Sequence, residues 1–182
     1  MENPVDVISN SMSNVRSIDD SLEIISAFNI GKHIELKAPQ AFSNWGAIEI
    51  FAEQVIQQIG YLISQREMYD EIYSRAMWPA SHFAAALVKI KYPQVKWIAE
   101  FSDPLLMDVT ANKRYEALSI EWLKVHGLLL DQAIELNDNL FYWCEKLVYD
   151  FADEVIFTNE NQQKYMLSYA DKEPSIIQSK SK

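Results

Sequence analysis

Between Tyr69 and Pro104 the chain alternates two kinds of segment in a fixed order, and that order restricts the folds open to it. Asp70 to Ser74 is a short strand-forming run. Pro79 suits the first turn of a helix, and Phe83, Leu87 and Ile90 follow as a stripe expected to be buried, in a helix that ends before Pro93. Val95 to Phe101 is a second strand, with Trp97, Ala99 and Phe101 on one side. Strand, helix and strand in succession predict parallel strands packed against helices. Each strand runs into a polar turn: Ser74, Arg75, Ser81 and His82 belong to the first, Ser102, Asp103 and Pro104 to the second. Open parallel sheets bind their ligands beyond the carboxyl ends of the strands, so these turns are the first places to look for a site.

The alternation extends over the rest of the chain. Val5 to Ile8 is a short β-rich run close to residue 1, so the opening strand and its glycine-bearing turn are expected to be short or missing. Asp19 to Phe28 has the pattern of a helix and His33 to Lys37 that of a strand. Ala47 to Ile63 is the clearest helix, with Ile48, Phe51, Val55, Ile59 and Leu62 at spacings of three and four and Asn44 placed to cap it. Asn112 to Val125 is predicted to be a helix with Leu118, Trp122 and Val125 facing inward, and Asp131 to Asn139 a polar connector. Leu140 to Tyr149 is an aromatic helix. Glu154 to Phe157 is a last strand, and Thr158 or Asn159 caps a helix reaching Leu167. The expected fold is an α/β, Rossmann-like, doubly wound domain over residues 1–170, its mostly parallel sheet carrying helices on both faces. A polar, disordered tail is expected over 171–182.

Composition removes several functions. With 49% hydrophobic residues the chain can build a core, and a formal charge of −10 argues against a nucleic-acid partner. Cys144 is the lone cysteine, which excludes a disulfide within the chain and suits a reducing cytoplasm. It is expected to be a buried thiol. Gly31, Gly46, Gly60 and Gly127 are too far apart for a dinucleotide fingerprint or a phosphate-binding loop. His33, His82 and His126 show no zinc spacing, and no nucleophile-elbow motif occurs. Neither a cofactor nor a metal is expected.

The chemistry that remains lies on the polar turns. Ser81 and His82 sit near a helix start, where free amides and the helix dipole favour an anion or a polar hydroxyl, and Arg75 lies just upstream. That set would suit a sugar or phosphate; the alternative is that Ser81 caps the helix and His82 bonds a neighbouring loop. Asp103, between a strand and a proline, is placed either to act as a base or to close an Asx-turn. Glu100 needs a partner if buried, and Arg75 and Arg114 are the candidates. Trp78, Trp97, Trp122 and Trp143 are expected to serve the core before any sugar platform.

The run from Tyr69 to Arg75, the stretch Pro79 to Ala85, the segment Trp97 to Pro104 and the later run Ala152 to Leu167 together resemble bacterial GT-B glycosyltransferases, mainly the family-four-like enzymes of capsule and surface-polysaccharide synthesis. The resemblance spans about residues 5–170. It implies the N-terminal, acceptor-side half of a two-domain enzyme that moves a sugar from a nucleotide-sugar to a hydroxyl of a glycan or lipid-linked acceptor. The donor would be held mainly by a C-terminal domain. On this resemblance Asp103 is the catalytic candidate, and Arg75, Ser81, His82 and Ser102 bind substrate. Many members carry a histidine at the turn matching Ser102 and Asp103, and here that turn departs from the pattern. The donor-half signature of glutamates eight positions apart, and its glycine-rich loop, have no counterpart in this sequence. The half-enzyme alone is therefore expected to be inactive. Its implied place is the cytoplasm, at the inner face of the membrane for a peripherally associated full enzyme. The alternatives are a non-catalytic half that pairs with a separate donor-domain chain, and an unrelated α/β small-molecule binder.

Overall fold

The computed structural model describes residues 4–15, 29–65, 68–108, 110–129 and 137–181. The helix expected over Asp19 to Phe28 and most of the connector from Asp131 lie outside them. β1 is Val5–Asn10, β2 Ile30–Leu36, α1 Trp45–Gln65, β3 Glu71–Arg75, α2 Ala80–Lys91 and β4 Lys96–Phe101. After them come α3 Ile120–Val125, α4 Leu140–Phe151, β5 Glu154–Phe157, α5 Glu160–Tyr169 and α6 Pro174–Lys180. From β2 to β4 strands and helices alternate as the sequence predicts; later two helices in a row precede β5 and two follow it. The strands form two parallel ladders, β1–β2 and β3–β4–β5.

Local chemistry sets the element boundaries. Asn44 accepts a hydrogen bond from the Ala47 amide at 3.0 Å and starts α1, as expected. Asn159, not Thr158, caps α5, its side chain accepting from the Gln162 amide. α3 ends in a Schellman motif. Gly127 takes the left-handed conformation at φ 70°, its amide donates to the Lys124 carbonyl at 3.0 Å, and Leu128 donates to Leu123 at 2.9 Å. Gly31 is required for a different reason, since a Cβ there would lie 2.6 Å from a carboxylate oxygen of Asp6. That oxygen accepts from the Lys32 amide at 2.8 Å. Gly31→Ala should therefore cost about 1–2 kcal/mol by breaking this tie, a change that urea unfolding would measure; an unchanged midpoint would show that Asp6 can swing aside.

One contiguous core joins both ladders to the helices. Ile48, Ala52, Val55 and Ile59 of α1 pack inward, and Trp45 meets Phe83 of α2 edge-on at 5.3 Å. Trp97, Ala99 and Phe101 turn from β4 into this core, as the sequence predicts, and all are fully buried. Phe101 touches Tyr149 of α4 at 5.9 Å between ring centroids. The other face of β3 and β4 carries charge. Lys96 pairs with Glu154 and Glu71, and Arg75 with Glu100.

Several expectations need correction, Ile90 of the α2 stripe among them, since it is exposed and not buried. The helix predicted over Asn112 to Val125 begins only at Ile120, where Ser119 accepts the Trp122 amide. Ahead of it the chain is extended and tied by isolated antiparallel bridges, Met107 to Lys113 and Ala117 to Asn139. Val125, expected to face inward, is exposed. The tail expected to be disordered contains α6 instead. Ile177 is fully buried, and Lys180 Nζ donates to the carbonyls of Tyr149 at 3.1 Å and Ala152 at 2.8 Å. These bonds satisfy part of the C-terminus of α4, where a cation also complements the helix dipole.

Candidate functional site

The two polar turns meet at the carboxyl ends of β3 and β4. Arg75 Nε donates to Ser102 Oγ at 2.9 Å and lies 3.0 Å from Glu100, which settles the partner of Glu100 as Arg75. Ser81 Oγ donates to the Arg75 carbonyl at 2.7 Å and leans toward that of Trp78 at 3.1 Å. It does not cap α2, whose N-cap position is Pro79, already helical and with no side-chain acceptor for an amide. The Ser81 and His82 amides donate to the carbonyls of Trp78 and Pro79. They are therefore not free to cradle an anion as the sequence reading expected.

His82 is corrected most sharply. Its ring is completely buried, so it cannot line a cleft. Trp97 Nε1 donates to Ser74 Oγ at 2.8 Å, and Ser74 Oγ lies 2.8 Å from His82 Nδ1. Among the described residues His82 Nε2 has no hydrogen-bond partner, and the ring stands perpendicular to Phe101 at 5.2 Å. Burial holds the imidazole neutral, pushing its pKa down to about 3. The Ser74, His82 and Trp97 set is thus a polar seam inside the core.

Beyond the turns a cavity of about 560 Å³ is lined by Phe42, Met77, Asp103 and the residues that follow it, and Tyr165 of α5. Of the residues expected to bind or react, Asp103 alone lines it. Arg75 and Ser102 are not among its lining residues and are bound to each other. Asp103 is exposed, and among the described residues its carboxylate takes no hydrogen bond.

The loop that follows Asp103 is held from several directions. Asp108 Oδ1 accepts from the Thr110 amide and hydroxyl and from the Asn112 amide, each at 2.8 Å. The Asn112 amide bond, followed by that of the Thr110 hydroxyl, keeps this carboxyl below the usual range. Ala111 is bent into the left-handed region at φ 62°, a conformation that costs a non-glycine residue energy. Arg114 Nη1 donates to the carbonyls of Pro104 at 2.8 Å, Leu105 at 2.9 Å and Met107 at 3.2 Å.

The motifs Ser102-Asp103-Pro104 and Ala152 to Thr158, far apart in sequence, meet here. Thr158 Oγ1 donates to the carbonyls of Phe101 at 3.1 Å and Ser102 at 3.0 Å, and Gln162 Nε2 donates to Phe101 at 3.2 Å. Asp153 accepts the Trp97 amide at 2.7 Å and the Lys89 ammonium at 2.7 Å. The Ala152 to Thr158 motif therefore holds both ends of β4, Asp153 at Trp97 and Thr158 at Phe101 and Ser102.

Sequence reading missed Glu145. It is buried on α4, and its Oε1 accepts from the amides of Leu105 at 2.9 Å and Leu106 at 2.8 Å. The signal was present as a lone carboxylate inside the aromatic run Leu140 to Tyr149. Cys144 is a buried thiol, as expected, and burial pushes its pKa up, so it is no nucleophile. Among the described residues no cluster of acidic, histidine and cysteine side chains could hold a metal ion.

No known protein-family model and no curated protein matches the chain.

Proposed function

We propose that this chain is the acceptor-side half of a GT-B-type glycosyltransferase, and that the cavity beyond β3 and β4 receives the sugar that is to be extended. One observation carries this reading: an exposed carboxylate, Asp103, stands beside the apolar side chains of Phe42 and Met77 at the carboxyl ends of parallel strands. A sugar ring offers an apolar face and a rim of hydroxyls, which suits such a pairing, and open α/β sheets place their ligands at this edge. Asp103 accepts the proton of the attacking hydroxyl. Arg75 and Ser102 brace the turn behind it. Transfer needs a donor-binding half, because this sequence has no glycine-rich loop to cradle a nucleotide diphosphate.

The same reading joins the two ladders in one doubly wound, Rossmann-like sheet. Supporting it, Tyr69 Oη donates to Asp6 Oδ2 at 2.6 Å, linking the approach to β3 with β1. It also puts the protein in the cytoplasm, with any membrane association peripheral. Among the described residues no helix is long and apolar enough to cross a bilayer.

Titrating the protein, ¹³C-labelled at methionine methyls, with methyl glycosides and nucleotide-sugars tests the reading. Neutral glycosides should shift the Met77 and Met107 signals saturably, while nucleotide-sugars bind no more tightly. Tight, saturable nucleotide binding would sink it. Asp103→Ala should weaken glycoside binding roughly tenfold, the loss of one hydrogen bond to a charged acceptor. Stability should change by less than about 0.5 kcal/mol, since the side chain is exposed. Equal damage to both would make Asp103 a structural turn residue.

A second reading, a binding wall without catalysis, is favoured by one fact: no described residue orients the Asp103 carboxylate. In a transferase assay supplied with a donor-domain chain, Asp103→Asn would leave the rate unchanged on that reading and lower it on the first.

A further inference from the structure

Glu145 is the one buried carboxylate among the described residues, and it faces the back of the cavity wall. Its Oε1 collects the amides of Leu105 and Leu106 and the hydroxyl of Tyr169 at 3.2 Å. From the opposite side of the same short stretch, Arg114 holds the carbonyls of Pro104, Leu105 and Met107. The wall is thus suspended by its donors from an acid and by its acceptors from a guanidinium. The guanidinium cannot let go by losing a proton. The acid can.

We propose that Glu145 is the positioning residue of the cleft wall, and that a proton on its carboxyl slackens the hold on Leu105 and Leu106. The consequence for ligand binding rests on the reading of the cavity given above; the switch itself does not. At low pH the carboxyl takes a proton from solvent. Oε1 then accepts as a neutral carbonyl oxygen, and the amide bonds lose their charge assistance. On ionisation the proton returns to solvent and both bonds shorten.

The surroundings set this exchange within reach of neutral pH. Burial drives the carboxyl up to about 7, opposed by the amides of Leu106 and Leu105, the Tyr169 hydroxyl and the Arg114 charge. The other groups facing it come from α4 itself, Tyr149 and Cys144, and from α5, Tyr169. Burial and the charge of Glu145 push all of these upward, away from neutrality. Tyr142, Lys146 and Asp171 border the small space beside the carboxyl.

The test is an amide NMR titration of the ligand-free protein between pH 5 and 9. The Leu105 and Leu106 amide protons should move downfield together, with a midpoint near 7. Their hydrogen exchange, corrected for intrinsic rate, should slow by roughly tenfold across that midpoint, the gain from a neutral to a charged acceptor. In Glu145→Gln, which keeps an acceptor oxygen but no titrating proton, both effects should vanish. Tyr169→Phe removes a donor to the carboxylate and should raise the midpoint by about half a unit to one unit. That variant decides the matter even where Glu145→Gln fails to fold. Amides that stay still in the wild type, or a midpoint unmoved by Tyr169→Phe, would overturn the proposal. Because no sugar is present, a failed glycoside titration with the amide switch intact counts against the cleft reading alone.

Discussion

Glu145→Gln should lose about 2 kcal/mol of stability between pH 6.5 and 4.5, an interval over which these buried groups leave the wild type nearly level. Two buried groups shifted in opposed senses produce this. His82 ordinarily titrates at 6.5 and is held neutral in the fold down to about 3. Below pH 6.5 the unfolded chain binds a proton there that the native protein refuses, so stability falls as pH drops. Glu145 ordinarily titrates at 4.5 and is raised to about 7 in the fold. Its contribution is fully present below 4.5 and is lost as pH rises through 7. Between 4.5 and 6.5 the unfolded chain carries one extra proton on His82 and the native protein one extra on Glu145. The counts match, so this pair gives stability no slope. Glutamine removes the native proton and exposes the His82 slope of about 1.4 kcal/mol per pH unit. Urea unfolding of both proteins at pH 4.5, 5.5, 6.5 and 7.5 measures it. Parallel curves would mean that one of the two groups is not held as described.

Ser74→Ala should cost about 3 kcal/mol, far more than removing a serine hydroxyl usually does. Ser74 Oγ is the sole described partner of Trp97 Nε1 and of His82 Nδ1, each at 2.8 Å. Alanine strands both nitrogens in the buried core, and His82 Nε2 already has no partner among the described residues. With a denaturant slope near 2 kcal/mol per molar, the urea midpoint should fall by roughly 1–1.5 M. Ser74→Cys, a weak donor and acceptor of similar size, should fall between. Trp97→Phe should cost less than Ser74→Ala because it removes the donor along with its need. A loss below about 1 kcal/mol for Ser74→Ala would show that the seam is relaxed or wetted.

The sequence made the frame legible because its strands and helices obey local rules. β5 was found to the residue, since Glu154 to Phe157 is bounded by polar residues on both sides. Asn44 and Asn159 announced their helices by being good acceptors ahead of apolar periodic runs. The stretch before α3 was misread because Leu118 and Trp122 happen to share helical spacing, while what shapes Asn112 to Ser119 is non-local. Arg114 reaches back to carbonyls of residues 104, 105 and 107, and Ala117 bridges Asn139. α6 was missed for a similar reason: its polar sequence hides one apolar anchor, Ile177, whose burial depends on α4 and β5 being in place.

The site was legible in outline and wrong in detail. The turns after β3 and β4 do come together. Which side chains face the cavity is set by non-local packing: Asp103 lines it, while His82 lies in the core. Glu145 escaped notice because its partners are backbone amides, which leave no mark on sequence.

The bonds from Thr158 and Gln162 to the last carbonyls of β4 have a mechanical meaning. They fasten the Ser102 turn to the first turn of α5, and Tyr165, one turn further along that helix, faces the same cavity. The Ser102 turn and the helix that carries Tyr165 are thus braced against each other at the cavity, so its lining is shared between two elements held by side-chain-to-backbone bonds rather than by one loop.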